Sequence, residues 1–318
     1  MPSQVENGKA FEFAIANAYY QHLLSNGQHV QLQNDNNLVN VQNCYAAQTE
    51  KDKLWFDTAA QKTIETLVAI EPGLTSNRNL FDILNIRVAS DLEGINGDVR
   101  DVIFSRQNWE IGISAKNNHD AVKHSRLSPL IDFGREWMGI PCSKKYFEEI
   151  NCVFDSLANL KRQNPKIKWE DLGNAKSTNV YVPLLKAFRD EMLKLAKSNV
   201  SASSNLLSYL IGRKPFYKII KEDGRNIVVV KAFNIGGKLN QTINGHKPII
   251  KTDSVKLPTR IIELEFKEGS DTTLMMVLDE GWQISFRMHN ASTLVENSLK
   301  FDIQLIGNPP ILFTQHLF

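Results

Sequence analysis

Gly97–Ser128, GDVRDVIFSRQNWEIGISAKNNHDAVKHSRLS, decides the fold, because it sets an Asp at the start of one apolar run and a Lys at the end of the next. Asp101 leads into Val102, Ile103 and Phe104, a β-branched and aromatic run that reads as a strand. After a polar turn over Ser105–Asn108, the run Trp109–Ala115 alternates and ends at Lys116. Two adjacent strands would bring Asp101 and Lys116 together. Alternation places Glu110, Gly112, Ser114 and Lys116 on one face and turns Ile111, Ile113 and Ala115 to the core. Glu110 cannot join Lys116 at one ion, since a rise of ~3.3 Å per residue separates them by ~20 Å.

Upstream, the apolar residues of Lys9–Tyr20 recur at helical spacing through Phe11, Ile15, Ala18 and Tyr19, and Glu12 sits among them. Residues 29–50 are rich in Asn and Gln and poorly periodic, which predicts a loop or irregular excursion. Helical patterning over Asp57–Ile70 stops at Glu71-Pro72-Gly73. Downstream of Lys116, Asn117 and Asn118 offer an N-cap for a helix starting near His119. Helices dominate from about 130 to 212, most clearly Leu184–Leu195, and Ser198–Ser204 reads as a linker. Strands follow over 226–233, 260–266, 272–278, 282–288 and 298–306. The expected architecture is α/β, a mixed central sheet flanked by helices. Residues 1–212 would form a catalytic core with a helical insertion at about 130–212, and residues 213–318 a β-rich region, separate from or continuous with that core.

The 318 residues, 42% hydrophobic and 23% charged, have ordinary globular composition, which excludes a disordered or fibrous chain. No apolar run nears the ~20 residues of a membrane span and no secretory signal pattern opens the chain, so a soluble, cytoplasmic protein is expected. Cys44, Cys142 and Cys152 lie far apart without a Cys-x-x-Cys pair, and read as reduced, packed thiols rather than a disulfide framework or zinc site. A net charge of +2 argues against nucleic-acid binding by bulk charge but leaves room for a basic groove.

Phosphodiester hydrolysis commonly uses a divalent cation, and a hard cation such as Mg²⁺ takes oxygen ligands. A neighbouring Lys can orient the attacking water and stabilise charge. Asp101 and Lys116 fit these roles, although an Asp–strand–Lys arrangement also suits an ordinary ion pair. Asp98, at the same turn, is an alternative metal ligand, but Asp101 directly abuts the strand. Beyond Lys116, the residues Asn118, His119, Lys123, His124 and Arg126 form either a solvated face or a set of phosphate contacts. His119 and His124 raise zinc, but no Cys or third ligand joins them. Late in the chain, Gln283, Ser285, Arg287 and His289 alternate against Trp282, Ile284, Phe286 and Met288, a polar face suited to solvent or to a DNA groove. Asn290 and Lys300 extend that candidate DNA-binding set.

Together the Gly8–Glu12 helix, Gly-Asp-Val-Arg-Asp, Ile-Gly-Ile-Ser-Ala-Lys-Asn-Asn-His-Asp, Lys-His-Ser-Arg-Leu-Ser and the late Ser-Phe-Arg-Met-His-Asn and Ser-Leu-Lys-Phe-Asp resemble the type II restriction endonucleases of the PD-(D/E)xK superfamily. Among these the HaeIII family is the closest likeness, and it spans nearly the whole chain. Two departures stand out: no Pro precedes Asp101, and Ser114 fills the acidic position before Lys116. The resemblance implies a restriction-endonuclease-like core and Mg²⁺-dependent cleavage of double-stranded DNA at GGCC, between the central G and C. It implies membership of a restriction-modification system, in which a cognate DNA methyltransferase protects host sites without a stable complex. It further implies an acid delivered from an N-terminal helix, for which Glu12 is the candidate, with Asp101 as the other metal ligand, Lys116 catalytic and Ser114 a small filler. A palindromic target makes a homodimer the natural expectation. The rival readings are a repair or mobile-element nuclease on the same core, and a DNA-binding protein with a degenerate one.

Overall fold

A capping box opens the first helix, α1 (Gln4–Ser25): the Glu6 amide donates to Ser3 Oγ at 3.2 Å and the Ser3 amide to Glu6 Oε2 at 2.6 Å. Its buried stripe of Phe11, Ala14, Ile15, Ala18 and Tyr19 is the one the periodicity predicts. The structure, a computed structural model, describes residues 2–318 apart from 77–81, 96, 119, 121 and 124. The remaining helices, in chain order, are α2 (Asn36–Ala46), α3 (Glu50–Ile70), the short α4 (Asp91–Ile95), α5 (Lys144–Gln163), α6 (Val182–Ser198) and α7 (Ala202–Ile211). The strands are β1 (Val30–Leu32), β2 (Leu84–Val88), β3 (Val102–Arg106), β4 (Trp109–Asn117), β5 (Arg126–Leu127), β6 (Phe216–Glu222), β7 (Ile227–Phe233), β8 (Ile261–Phe266), β9 (Thr273–Leu278), β10 (Gln283–His289), β11 (Leu299–Gly307) and β12 (Thr314–Leu317).

The chain divides into two units, the first made of Met1–Asp120, Gly212–Lys256 and Ile311–Phe318, the second of Ala121–Ile211 and Leu257–Pro310. The first holds a mixed seven-stranded sheet in the order β1-β2-β3-β4-β6-β7-β12. Its core joins one sheet face, through Ile111, Ile113, Val102, Phe104, Tyr217, Ile219 and Val230, to the apolar stripes of α1 and α3. The second unit holds an antiparallel sheet in the order β5-β11-β10-β9-β8. Phe286 and Phe301 on its buried face pack against Phe188 of α6, with ring centroids 5.7 and 4.9 Å apart. Gln283, Ser285, Arg287 and His289 occupy the opposite, more exposed face, as alternation predicts. This is the mixed α/β architecture expected, consistent with a restriction-endonuclease-like fold. Among the described residues no helix is long and apolar enough to cross a membrane.

Several local expectations are corrected. The Asn/Gln-rich stretch forms β1 and α2, where Asp35 accepts the Leu38 amide at 2.9 Å and Leu38 and Val41 are buried. A cap and a short apolar stripe sufficed where the periodicity was too sparse to read. The turn between β3 and β4 is shorter than Ser105–Asn108: Arg106 pairs with Trp109 and Gln107 turns with φ +36°. Arg106 remains in the strand because its guanidinium is satisfied by the carbonyls of Gly73, Asp82 and Leu74 at 2.9, 2.6 and 3.3 Å. The expected helix start, His119, lies outside the described residues, and the described neighbours Asp120, Val122 and Lys123 are not helical; Asn118 takes φ +66° and spends its amide on Asp223 instead of capping. Of Ser198–Ser204, only residues 199–201 connect helices; Ser198 ends α6 and Ala202–Ser204 open α7. Cys152 is exposed, whereas Cys142 is buried. A boundary at 212 does not match the compact units, because β6 and β7 belong to the first unit's sheet and the two units alternate along the chain.

Candidate active site

The β3–β4 hairpin brings the two ends of the deciding stretch together. The Asp101 amide donates to the Ile113 carbonyl at 2.7 Å, anchoring the start of β3 against β4. Its carboxylate Oδ2 then accepts from the Ala115 amide at 2.7 Å, Ser114 Oγ at 3.2 Å and Lys116 Nζ at 3.4 Å. No described residue donates to Oδ1. The Asp101 and Lys116 side chains are 23% and 26% exposed, open enough for a substrate phosphate to reach. Ser114 is buried, held to Asp101 rather than turned outward.

Glu12 lies beside this pair, part-buried on α1, and no described residue donates a hydrogen bond to it or forms an ion pair with it. Burial first, then the Asp101 carboxylate, pushes its pKa up to about 8 against the opposing pull of Lys9 and Lys116. A desolvated acid with no donor beside a second carboxylate is a group that could hold a cation. No cluster of three or more His, Cys, Asp or Glu side chains stands ready for a metal among the described residues. Two carboxylates nevertheless suit Mg²⁺, which keeps several waters and shares its shell with phosphate oxygens. They do not suit zinc, which favours nitrogen and sulfur donors.

Asp98 is committed elsewhere. It accepts from Arg100 Nε at 2.8 Å and Nη2 at 2.7 Å, and Lys214 Nζ lies 3.1 Å away. Burial works to raise its pKa, but Arg100 and Lys214 overcome that and hold it down to about 2. Glu110, the strand-start acid, pairs with the other side of Arg100 at 2.8 Å. Gly112 makes room for this arrangement: a Cβ there would lie 2.3 Å from Arg100 Cδ.

The other candidates fall in two places. Asn118, in the first unit, exchanges hydrogen bonds with Asp223, giving from Nδ2 at 2.5 Å and receiving from the Asp223 amide at 2.7 Å. Lys123 and Arg126 belong to the second unit, where Lys123 Nζ lies 4.2 Å from the Tyr209 ring centroid and Arg126 donates to Ser298 at 3.0 Å. His119 and His124 lie outside the described residues. On the second unit's sheet, Arg287 donates to Asp302 at 3.0 Å and Lys300 pairs in register with His289. Gln283 is exposed at the start of β10. Asn290 is structural in its contacts, accepting from Lys176 Nζ at 2.8 Å and donating to the Ser292 carbonyl at 2.7 Å.

The family model of the HaeIII restriction endonuclease matches residues 8–309. The chain belongs to the HaeIII restriction endonuclease family. The type II restriction enzyme HaeIII of Haemophilus aegyptius is 38% identical over 307 residues, 96% of this chain and 94% of that enzyme. No solved structure matches the chain. The span matched by the HaeIII family contains Glu12, the Asp101–Lys116 hairpin and the polar face of β10.

Sequence reading missed a second charged group on the same sheet face. Lys218 on β6 is the register partner of Ser114, and Lys231 on β7 is the partner of Lys218. Both ammonium groups meet the Asp120 carboxylate, Lys231 at 2.5 Å. Burial lowers the Lys218 pKa, Asp120 opposes that, and Lys116 and Lys231 lower it further, to about 8. The signal was present as a lysine inside each of two apolar runs, Phe216–Ile220 and Ile227–Phe233.

Proposed function

We propose that this member of the HaeIII family, a type II restriction endonuclease, cleaves double-stranded DNA at GGCC, between the central G and C, in a Mg²⁺-dependent reaction. The observation that carries this reading is the Asp101–Lys116 pair at one sheet end, with Glu12 within electrostatic reach of both. Asp101, through its unengaged Oδ1, and Glu12 would hold the ion. When bound, the ion supplies charge neutralisation at the phosphoryl oxygens and a more acidic water. Lys116, held at its root by β4 and at its tip by Asp101, orients the attacking water and offsets charge on the phosphoryl group. Ser114 fixes the Asp101 rotamer by donating to Oδ2, which accounts for a hydroxyl where the superfamily carries an acid.

In the second unit, Arg287, Gln283 and His289 are the base-reading candidates, with Lys300 beside them and Lys123 and Arg126 as phosphate contacts. Arg287 is chemically suited to guanine, and its ion pair with Asp302 would present it in one orientation. The active form is a homodimer in the cytoplasm, one chain for each scissile phosphate of the palindrome, with a cognate methyltransferase guarding host sites.

Plasmids with and without GGCC, incubated with Mg²⁺ or with EDTA, test the reading. We expect fragments ending between G and C only in the first plasmid and only with Mg²⁺. K116A should bind the same duplex while losing cleavage by at least about 100-fold. Cutting at unrelated sequences would favour a repair-type nuclease, and binding without cutting would favour the degenerate-core reading. Substantial cleavage by K116A would remove Lys116 from the chemistry.

A further inference from the structure

Lys116 stands on an overhang. β3 pairs with β4 only as far as Ile113, so Ser114–Asn117 have a strand on one side alone, β6, in a register that runs from Ser114–Lys218 to Asn117–Lys221. On the other side the Ala115 amide reaches the Asp101 carboxylate at 2.7 Å. A strand end held mainly along one edge frays readily unless something ties it down.

A group just past β4 ties it. Asn118 takes φ +66°, a left-handed conformation that Asn tolerates, and meets the end of β6 with both main chain and side chain. Its main-chain N–H donates to the Lys221 carbonyl at 2.7 Å, its Nδ2 donates to Asp223 Oδ2, and its Oδ1 accepts the Asp223 main-chain N–H at 2.7 Å. The second carboxylate oxygen, Asp223 Oδ1, accepts from Trp55 Nε1 of α3 at 2.6 Å and from Lys221 Nζ. Lys221 is 3% exposed, its ammonium 5.4 and 5.0 Å from the ring centroids of Trp55 and Phe56, so the far side of the clasp is anchored on α3. Asp223 thereby joins the ends of β4 and β6 to a helix, although its own side chain is 48% exposed. Polar contacts this open to water contribute little to global stability. Their effect is local, on the strand end from which Lys116 projects two residues earlier.

We propose that Asp223 and Asn118 are positioning residues for Lys116, a clasp that keeps the one-sided end of β4 from fraying and so holds the Lys116 ammonium beside Asp101. The proposal rests on the reading of Lys116 above, and it gives Asn118 a role other than the phosphate contact that its sequence position suggests.

The clasp's polarity can be reversed, which separates positioning from DNA contact. In D223N some donor faces another whichever way the two amides turn, and in N118D two carboxylates meet. In the double variant N118D/D223N the new amide donates to the new carboxylate and still accepts from Trp55 and Lys221. The full-length variants would be compared by kcat and KM on a GGCC duplex with Mg²⁺, by duplex affinity in fluorescence anisotropy without divalent cation, and by urea midpoint. Each single variant should lower kcat by about 10-fold or more, with KM, affinity and midpoint near wild type, and the double variant should recover kcat to within about threefold. Single variants with wild-type kcat, or a double variant no better than the worse single, would overturn the clasp. A loss in affinity that the double variant does not restore would make Asn118 a DNA contact, and a fall in kcat that only follows the midpoint would make the group structural. If one single variant does not fold, the other and the double complete the comparison. Cleavage by K116A would instead overturn the reading of Lys116, and an uncut plasmid the nuclease reading; the plasmid assay reports both separately.

Discussion

Glu12 makes the stability of the metal-free chain depend on pH in a direction opposite to that of most carboxylates. Its folded pKa is raised from 4.5 to about 8, chiefly by burial and then by Asp101. Between those values the unfolded chain has released the proton and the folded chain still binds it. The folded state therefore loses stability as pH rises through this window, by up to ~1.4 kcal/mol per pH unit. From about pH 5.5 to pH 7.5 the full effect would be ~2.7 kcal/mol, and partial exposure of the carboxyl reduces it to about 1–2 kcal/mol. Lys9 and Lys116, which favour the ionised form, and Asp101 and Asp91, which oppose it, are already included in that shift.

In E12Q the ionisable group is gone and its neutral shape is kept. Urea unfolding in EDTA, for wild type and E12Q across this pH range, should give a stability difference that grows in favour of E12Q as pH rises. The difference isolates Glu12, because the other titrating groups are common to both proteins. Adding Mg²⁺ should stabilise wild type increasingly with pH, since the ion needs the carboxylate, and should do far less for E12Q. Parallel pH profiles for the two proteins in EDTA would refute the buried, raised Glu12. A Mg²⁺ response in E12Q equal to wild type would remove Glu12 from the ion.

Two further substitutions test how the hairpin is held. G112A would set a Cβ 2.3 Å from Arg100 Cδ and 2.7 Å from Arg100 Cβ, too near the backbone for Arg100 to swing clear. We expect ~1–3 kcal/mol lost in urea unfolding, with the Asp98–Arg100–Glu110 group disturbed; a neutral result would show that β4 can shift away from Arg100. R106M removes the donors from the carbonyls of Gly73, Asp82 and Leu74 and should cost ~3 kcal/mol; a loss under about 1 kcal/mol would mean that water replaces them.

Which parts of this structure could be read from the sequence follows from how far each determining contact reaches. The hairpin was legible because its signals are local: an apolar run, a polar turn, a second alternating run, all within Gly97–Lys116. The Glu12 placement was legible only through family resemblance, since helix periodicity says which face is buried and nothing about which strand end it meets. The helix expected after Lys116 failed for a nonlocal reason. Asn118 reads as a cap until one knows that Asp223, more than a hundred residues later, takes its amide and that the Asn118 main-chain N–H donates to the Lys221 carbonyl at 2.7 Å.

The same distance explains why β6 and β7 continue the first unit's sheet past residue 212 and why their lysines were overlooked. β4 and β6 are parallel neighbours, and parallel strands need a crossover between them. Here the crossover includes the residues Ala121–Ile211, so the chain leaves the first unit's sheet just after Lys116 and re-enters it at Phe216. A linear reading sees helices and then strands, and assigns β6 and β7 to a new β-rich region. Within such a region Lys218 and Lys231 are unremarkable solvent-facing residues. Within the first unit's sheet Lys218 is a buried cation in register with Ser114 and Lys231 is its half-buried partner on the next strand, each set inside an otherwise apolar run. A lysine that interrupts an otherwise continuous apolar strand therefore signals a buried ion pair, here with Asp120, more strongly than a lysine on an alternating strand, whose side chain faces water.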